Sequence, residues 1–103
     1  MKVALTTEDR KQIYKDKVKK WAAGRIFHFL SSPRIEKGQA CEACRSKRVV
    51  NFQLIECNGE YFLVGWECIK LLNVIYDASE RYPHWRDIDA IEKEVIAKKQ
   101  GES

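Results

Sequence analysis

The spacing of apolar side chains predicts a long helix in the first third of the chain. Between residues 6 and 30, apolar positions recur every three or four residues, which is the period of one helix face. Thr6 and Asp9 stand at the spacing of a capping box. Ser31-Ser32-Pro33 would end the helix, because the residue before a proline is pushed out of the α region. We therefore expect a helix over residues 6–30. Its apolar stripe comprises Ile13, Val18, Trp21, Ala22, Ile26, Phe29 and Leu30.

The clearest local pattern is a β-hairpin around Asn58-Gly59. Strand-like runs over residues 49–57 and 60–65 flank this dipeptide, which favours a two-residue turn with positive φ at both positions. Alternation gives each face of the hairpin an apolar set, so we expect both faces to be covered. The pairs set by the turn are Cys57 with Glu60, Leu54 with Leu63, Phe52 with Gly65 and Val49 with Cys68. The apolar sets are Phe52, Leu54, Tyr61 and Leu63 on one face, and Ile55, Phe62 and Val64 on the other.

The remaining segments predict a loop and two further helices. Residues 33–48 contain a proline, a glycine and few apolar side chains, and they predict a loop. We expect a second helix over residues 67–78, a third over residues 86–99, and a frayed tail over residues 101–103. The apolar stripe of the third helix is Ile88, Ile91, Val95 and Ile96. Because 103 residues suffice for one domain, the predicted fold is a single α+β domain over residues 1–103.

Composition and charge favour a cytoplasmic protein with an anionic partner. No apolar run reaches membrane-spanning length and the first residues do not form a signal peptide, so we expect no membrane partner. Thiols stay reduced in the cytoplasm, which favours metal ligation over disulfides for the four cysteines. The net charge of +4 is uneven: residues 1–50 carry 13 Lys/Arg and 5 Asp/Glu, and residues 51–103 carry 6 and 10. The basic half indicates an anionic partner, although two solvated faces of opposite sign would give the same count.

Three of the four cysteines have the spacing of metal ligands. Cys41 and Cys44 form a Cys-x-x-Cys pair before the hairpin, and Cys68 opens the helix predicted after it. Tetrahedral zinc holds its thiolates at about 2.3 Å, so its ligands must converge. The hairpin register brings Cys68 to the end where Cys44 lies. Cys57 stands beside the turn, roughly 26 Å away along the strand. The sequence therefore predicts a metal site built by Cys41, Cys44 and Cys68.

The fourth ligand of this site is left open by the sequence. His28 lies near the end of the first predicted helix, and His84 lies in a loop. A carboxylate or water could also complete the site, and Cys57 could do so if the hairpin register were different. The further alternatives are a three-cysteine cluster without a metal and a redox cysteine pair.

The arrangement resembles the treble-clef zinc modules of small bacterial and phage proteins. The resemblance covers residues 40–73 and rests on Cys41-x-x-Cys44, the hairpin, and Val-Gly-x-x-Cys68 at a helix start. It implies a structural Zn²⁺ held by a knuckle loop, around Cys41 and Cys44, that leads into the hairpin. With the helices predicted from the apolar pattern, the expected fold is treble-clef-like: a long N-terminal helix, the knuckle loop plus hairpin, and two C-terminal helices. Two positions depart from the family pattern. Arg45 stands where the family has a glycine, and Cys68 is alone where the family takes two ligands from the helix start.

Neither redox nor hydrolytic chemistry fits this arrangement. A redox Cys-x-x-Cys stands at a strand-to-helix junction of a βαβ unit, whereas Cys41 and Cys44 lead into a hairpin. Hydrolytic zinc needs an open position and a general base, and three thiolates make the metal a poor Lewis acid. We therefore expect a protein that is not an enzyme.

Basic side chains around the knuckle indicate a nucleic-acid interface. Lysine and arginine neutralise backbone phosphates, although a solvated basic surface has the same composition. The candidate contacts are Arg34, Lys37, Arg45, Lys47 and Arg48 near the cysteine pair, and Lys15 and Lys19 on the first predicted helix.

Together these patterns predict a small zinc module that binds DNA or RNA as a regulator or accessory factor. The alternative is a protein-interaction module, such as an adaptor or a phage-type inhibitor of a host protein. Its interface would lie on the acidic third helix, at Asp87, Asp89, Glu92 and Glu94.

Overall fold

The computed structural model describes residues 6–45 and 49–101, which form four helices and a mixed five-stranded sheet. The α+β class is confirmed. The helices are α1 (Thr7–Ala22), α2 (Trp66–Ile69), α3 (Ala78–Arg81) and α4 (Trp85–Gly101). The strands are β1 (Ile26–Ser31), β2 (Arg34–Gln39), β3 (Val49–Cys57), β4 (Glu60–Gly65) and β5 (Asn73–Ile75). No helix in the described ranges is both long enough and apolar enough to cross a membrane.

Helix α1 starts where the sequence predicts but ends eight residues earlier. The capping box is formed, since the Thr6 hydroxyl accepts from the Asp9 amide at 3.0 Å and the Asp9 carboxylate accepts from the Thr6 amide at 3.1 Å. At the other end, Ala23 and Gly24 take φ of 50° and 75°, in the left-handed region. Two such residues in succession cannot continue a right-handed helix. The predicted helix over residues 6–30 is therefore wrong beyond Ala22.

The side chain of Arg25 closes the C-terminus of α1. It donates to the carbonyl oxygens of Trp21 at 2.7 Å and Ala22 at 3.0 Å, two of the acceptors that a helix end leaves unpaired. Its guanidinium also lies 4.8–5.2 Å from the ring centroids of Trp21, Phe27 and Phe62. The arginine therefore ties the end of α1 to the sheet.

Strands β1 and β2 occupy segments for which the sequence predicts helix and loop. In β1, Phe27 is fully buried and Ile26 is exposed. The predicted helix stripe contains Ile26 and not Phe27, so the buried face differs from the predicted one. β1 pairs antiparallel with β3 and parallel with β5, and β2 pairs antiparallel with the start of β3. The strand order is β2-β3-β1-β5, with β4 also paired to β3. The loop predicted over residues 33–48 is therefore wrong for residues 34–39.

The β3–β4 hairpin is confirmed in its bounds, turn and register. Asn58 and Gly59 have φ of 51° and 83°. The pairs Cys57 with Glu60, Leu54 with Leu63 and Phe52 with Gly65 are formed. The predicted pair of Val49 with Cys68 is not a strand pair, because β4 ends at Gly65 and Cys68 lies in α2.

The two faces of the hairpin carry two separate hydrophobic clusters, as the alternation predicts. One face packs Ile55, Phe62 and Val64 against Val18 and Ala22 of α1. The other packs its apolar set against the stripe of α4: this cluster contains Phe52, Leu54, Leu63, Tyr61, Leu30, Ile35, Ile88, Ile91, Val95 and Ile96. The sheet is thus covered by one long helix on each side.

The segment between β4 and α4 differs from the predicted second helix over residues 67–78. α2 ends at Ile69, β5 follows as a short parallel partner of β1, and α3 is a single turn. The helix predicted over residues 86–99 is confirmed as α4. Residues 102–103 of the predicted frayed tail lie outside the described ranges.

A buried carboxylate fixes α3 against the sheet. Glu56, only 6% exposed, accepts from Arg81 Nη2 at 2.6 Å and from the Tyr82 hydroxyl at 3.3 Å. Beside it, His28 Nδ1 lies 3.0 Å from the Asp77 carboxylate. A buried carboxylate requires such partners, since an unpaired one would be strongly destabilising.

We expect Gly59→Ala to lower the free energy of unfolding by about 1–2 kcal/mol, because the left-handed backbone at this residue disfavours a Cβ atom. No atom lies within 4 Å of the position that the Cβ would take, so the effect would be conformational and not a clash. Urea unfolding measures it. The matched control is Gly101→Ala at the end of α4, which also meets open space but lacks positive φ and should change stability little. Equal effects at both positions would contradict the proposed turn geometry.

Candidate metal centre

The three predicted cysteine ligands meet in one cluster. The Sγ atoms of Cys41, Cys44 and Cys68 all lie within 4.8 Å of one another, and those of Cys41 and Cys68 are 3.4 Å apart. Thiolates bound tetrahedrally to zinc at about 2.3 Å would stand about 3.8 Å apart, so the observed spacing suits this ion. Cys41 and Cys68 are buried and Cys44 is partly exposed. The cluster could therefore hold a metal ion.

Local backbone structure positions each of these thiols. The chain turns tightly between Cys41 and Cys44, closed by a hydrogen bond of 2.8 Å from the Arg45 amide to the Cys41 carbonyl. Cys68 is held by the short helix α2, which begins directly after Gly65. The Gly65 amide donates to Cys41 Sγ at 3.2 Å. Such N–H donors stabilise a thiolate, which is the form that binds metal.

Arg45 occupies a left-handed conformation, with φ of 62°. A glycine adopts such a φ without strain, whereas an arginine does so at a cost. The turn after Cys44 therefore places an exposed arginine in a conformation that favours glycine.

Tyr14 is a member of the site that the sequence analysis missed. Its hydroxyl donates to Cys68 Sγ at 3.1 Å, which joins α1 to the cluster across 54 residues of chain. Burial raises the pKa of Tyr14, and the hydrogen bond to Cys68 adds to this rise, so the phenol stays protonated and remains a donor. The apolar spacing of α1 could have placed Tyr14 beside Val18, but nothing in it indicates a sulfur partner.

A hydrogen bond of 3.4 Å joins the two buried thiols. The hydrogen bond from Cys68 lowers the pKa of Cys41 to about 5, with backbone amides of Cys44, Gly65 and Ala43 acting in the same direction against burial. The same contact, with burial, raises the pKa of Cys68. The contact therefore favours the thiolate form of Cys41 over that of Cys68, and a bound cation would displace the proton from Cys68.

Glu42 is a second residue of the site that the sequence analysis missed. It is one of the two residues between Cys41 and Cys44. Its amide donates to the Leu63 carbonyl at 3.1 Å, and its carboxylate accepts from the Leu63 amide at 2.6 Å. The other carboxylate oxygen accepts from Lys99 Nζ of α4 at 2.7 Å. The knuckle is therefore bonded to the outer edge of β4 and to α4.

The candidates for a fourth ligand do not join the cluster. Cys57 is buried at the end of β3 beside the turn, as the hairpin register predicts. His28 is bonded to Asp77, and His84 is exposed before α4. Within the described ranges, no histidine, aspartate or glutamate forms a group with the three cysteines.

A cavity of about 460 Å³ opens beside the cysteines. All three thiols line it, together with the Tyr14 ring and residues of β3 and α2. The remaining lining residues are Val49, Val50, Asn51, Gly65, Trp66 and Glu67. The partly exposed cluster therefore faces an open space that a small group could enter.

The basic residues predicted to contact nucleic acid lie on several elements. Arg45 is exposed at the knuckle, Arg34 is exposed at the start of β2, and Lys15 and Lys19 are exposed on α1. Lys37 belongs to β2, but its side chain lies outside what the structure describes, as do the whole of Lys47 and Arg48.

No protein-family model, curated protein or solved structure matches the chain. The candidate metal centre consists of three thiols in one cluster, supported by hydrogen bonds from Tyr14 and Gly65.

Proposed function

We propose that the protein is a non-enzymatic zinc module that binds DNA or RNA through backbone phosphates, as a regulator or accessory factor. Three thiolates form a soft donor set, which suits Zn²⁺ better than magnesium or calcium. The amide of Gly65 and the hydroxyl of Tyr14 support the thiolates from the second shell, as hydrogen-bond donors do in metal sites. The metal would be structural, because it joins the knuckle, α2 and α1.

The observation that carries the nucleic-acid proposal is that two basic segments are attached to the same thiol cluster. The run from residue 45 to 48 begins directly after Cys44, and its first side chain, Arg45, is exposed. Helix α1 reaches the cluster through Tyr14, and its Lys15 and Lys19 are exposed. Cations held at separate positions contact successive phosphates of a nucleic-acid backbone and fix the protein's orientation on it.

β2 adds a third basic position near the site. Arg34 is exposed and pairs in register with Asn51 of β3, and Asn51 lines the cavity beside the cysteines. The basic candidates on α1 and beside Cys44 are thus held by segments that contact the thiol cluster, and Arg34 of β2 is held by a strand that pairs with the cavity-lining start of β3.

A protein-interaction module is the second candidate, and an exposed apolar patch favours it. Ile26 and Ile75 are 55% and 44% exposed, and both line a shallow cavity at the end of the sheet. β5 stands last in the strand order there. An apolar patch at a strand edge is a common site for a protein partner. Charge reversal on α1 would leave the activity of such a module intact, which separates the two candidates.

Removing a cysteine ligand tests the metal. We expect Cys41→Ser and Cys68→Ser each to abolish stoichiometric zinc binding. They should also lower the free energy of unfolding by about 3 kcal/mol at free zinc about 100-fold above the dissociation constant of the intact site. Zinc content by mass spectrometry and urea unfolding measure the two effects.

Cys57→Ser is the control for this experiment. The serine hydroxyl would be buried in a mostly apolar cluster, so stability should fall by about 1–2 kcal/mol while zinc content stays the same. Loss of zinc in Cys57→Ser would contradict the proposed ligand set.

Neutralising α1 tests the phosphate contacts. We expect Lys15→Gln/Lys19→Gln to weaken binding to a DNA duplex and to reduce the slope of log Kobs against log salt by about 2, since each phosphate contact contributes about 0.9. Fluorescence anisotropy across a salt series measures the slope. Lys93→Gln/Lys98→Gln on α4 removes the same charge and should leave the slope unchanged. No binding of the intact protein to DNA or RNA at low salt would refute the proposal.

Arg45 allows stability and binding to be separated. Arg45→Gly relieves the left-handed strain, so we expect the free energy of unfolding to rise by about 0.5–1 kcal/mol while affinity for nucleic acid falls. Arg34→Gly, at an exposed strand position without positive φ, should lower stability by about 0.5–1 kcal/mol. If Arg45→Gly also lost stability, the arginine would have a structural role and not the proposed one.

A further inference from the structure

We propose that the bound metal keeps one coordination position open to the cavity, and that this position takes a neutral imidazole-type nitrogen donor from outside the chain. The inference rests on the proposed metal site and names the ligand that would complete it.

The number of ligands is the first step. Three thiols form the cluster, and no histidine, aspartate or glutamate of the described ranges belongs to it. The Tyr14 hydroxyl donates a hydrogen bond to Cys68 Sγ, so Tyr14 supports a metal ligand and does not count as one. Zinc takes four ligands in proteins, so three thiolates leave one position to fill.

The cavity gives that position access from outside. All three cysteines line it, and its volume of about 460 Å³ falls within the size range of small-ligand sites. Val49, Val50 and Trp66 supply apolar walls. Trp66 is 57% exposed, and the Lys70 ammonium lies 4.3 Å from the centroid of its ring. A planar ring would therefore pack on the face of the indole opposite Lys70.

Charge decides between a nitrogen donor and a fourth thiolate. Three thiolates on Zn²⁺ carry a net charge of −1, and a fourth would raise it to −2 in a partly buried site. Among the described residues that line the cavity, Glu67 adds a further negative charge, and none is a lysine or an arginine. A neutral imidazole keeps the charge at −1 and gives the Cys₃His donor set that is common for structural zinc.

Cobalt(II) in place of zinc reports this position, because its visible spectrum responds to the donor set. We expect full-length protein loaded with one cobalt ion to show a saturable spectral shift on addition of imidazole, and none with 2-mercaptoethanol at the same concentrations. A parallel titration with the peptide Gly-His-Gly distinguishes the sources. Tighter binding of the peptide indicates a histidine of a protein partner, and tighter binding of imidazole indicates a small heterocycle.

Two tryptophan variants provide the matched control. Trp66→Ala should weaken imidazole binding several-fold without changing the cobalt stoichiometry. Trp85→Ala, which removes a 70%-exposed indole that does not line this cavity, should leave imidazole binding unchanged.

Three results would overturn the inference. A cobalt spectrum that does not respond to imidazole, or that responds to 2-mercaptoethanol instead, would show a filled position or a different donor. A spectrum that changes in His28→Ala or His84→Ala without added ligand would assign the fourth position to the chain itself. Failure of the intact protein to bind cobalt or zinc would refute the proposed metal function, and this inference with it.

Discussion

The register of the β3–β4 hairpin is the constraint on which the rest of the structure depends. A shift by one residue would turn β4 over relative to β3. Phe62 and Val64 would then leave the α1 side, and Leu63 would leave the α4 side. The register also ends β4 at Gly65, next to the start of β3, which places α2 and Cys68 beside the knuckle. Asn58-Gly59 fixes this register locally, since its turn requires positive φ at both residues.

The thiol cluster links parts of the chain that the hairpin alone does not hold together. Cys41 and Cys44 come from the knuckle, Cys68 from α2, and the hydroxyl that supports Cys68 comes from α1. Glu42 adds a bond to Lys99 of α4. Helix α4 therefore has a polar attachment to the knuckle, and α1 has one to Cys68 of the same cluster. A protein of 103 residues has a modest core, so a metal at this junction would stabilise the contacts of several elements at once.

The features that the sequence predicts well are those set by local chemistry. The Asn-Gly turn, the Thr6 capping box, the α4 stripe and the three-cysteine cluster each depend on residues close in sequence or on a register that the turn determines. The failures concern elements that exist because of distant partners. β1 and β5 pair with each other, so neither is recognisable alone, and their short apolar runs also fit a helix.

The end of α1 shows the same limit in one place. Ala23 and Gly24 stop the helix, but a single glycine within an apolar helical pattern is tolerated in many helices. The decisive contacts come from Arg25, which bonds two helix carbonyls and packs on Phe27 and Phe62, residues of two strands. Tyr14 and Glu42 were missed for a related reason. Their roles depend on which atoms stand opposite them in the folded chain, not on their spacing.

Glu42 places an acidic side chain in the same turn as Arg45, the proposed phosphate contact. Its carboxylate is turned toward the Leu63 amide and the Lys99 ammonium, and both oxygens are engaged. Its charge is thereby paired within the fold and does not oppose an approaching anion. Arg45 lies on the exposed side of the same turn, in a conformation that an arginine adopts only with strain. The knuckle therefore pairs its acidic side chain inside and exposes a basic one, as the proposed phosphate contact requires.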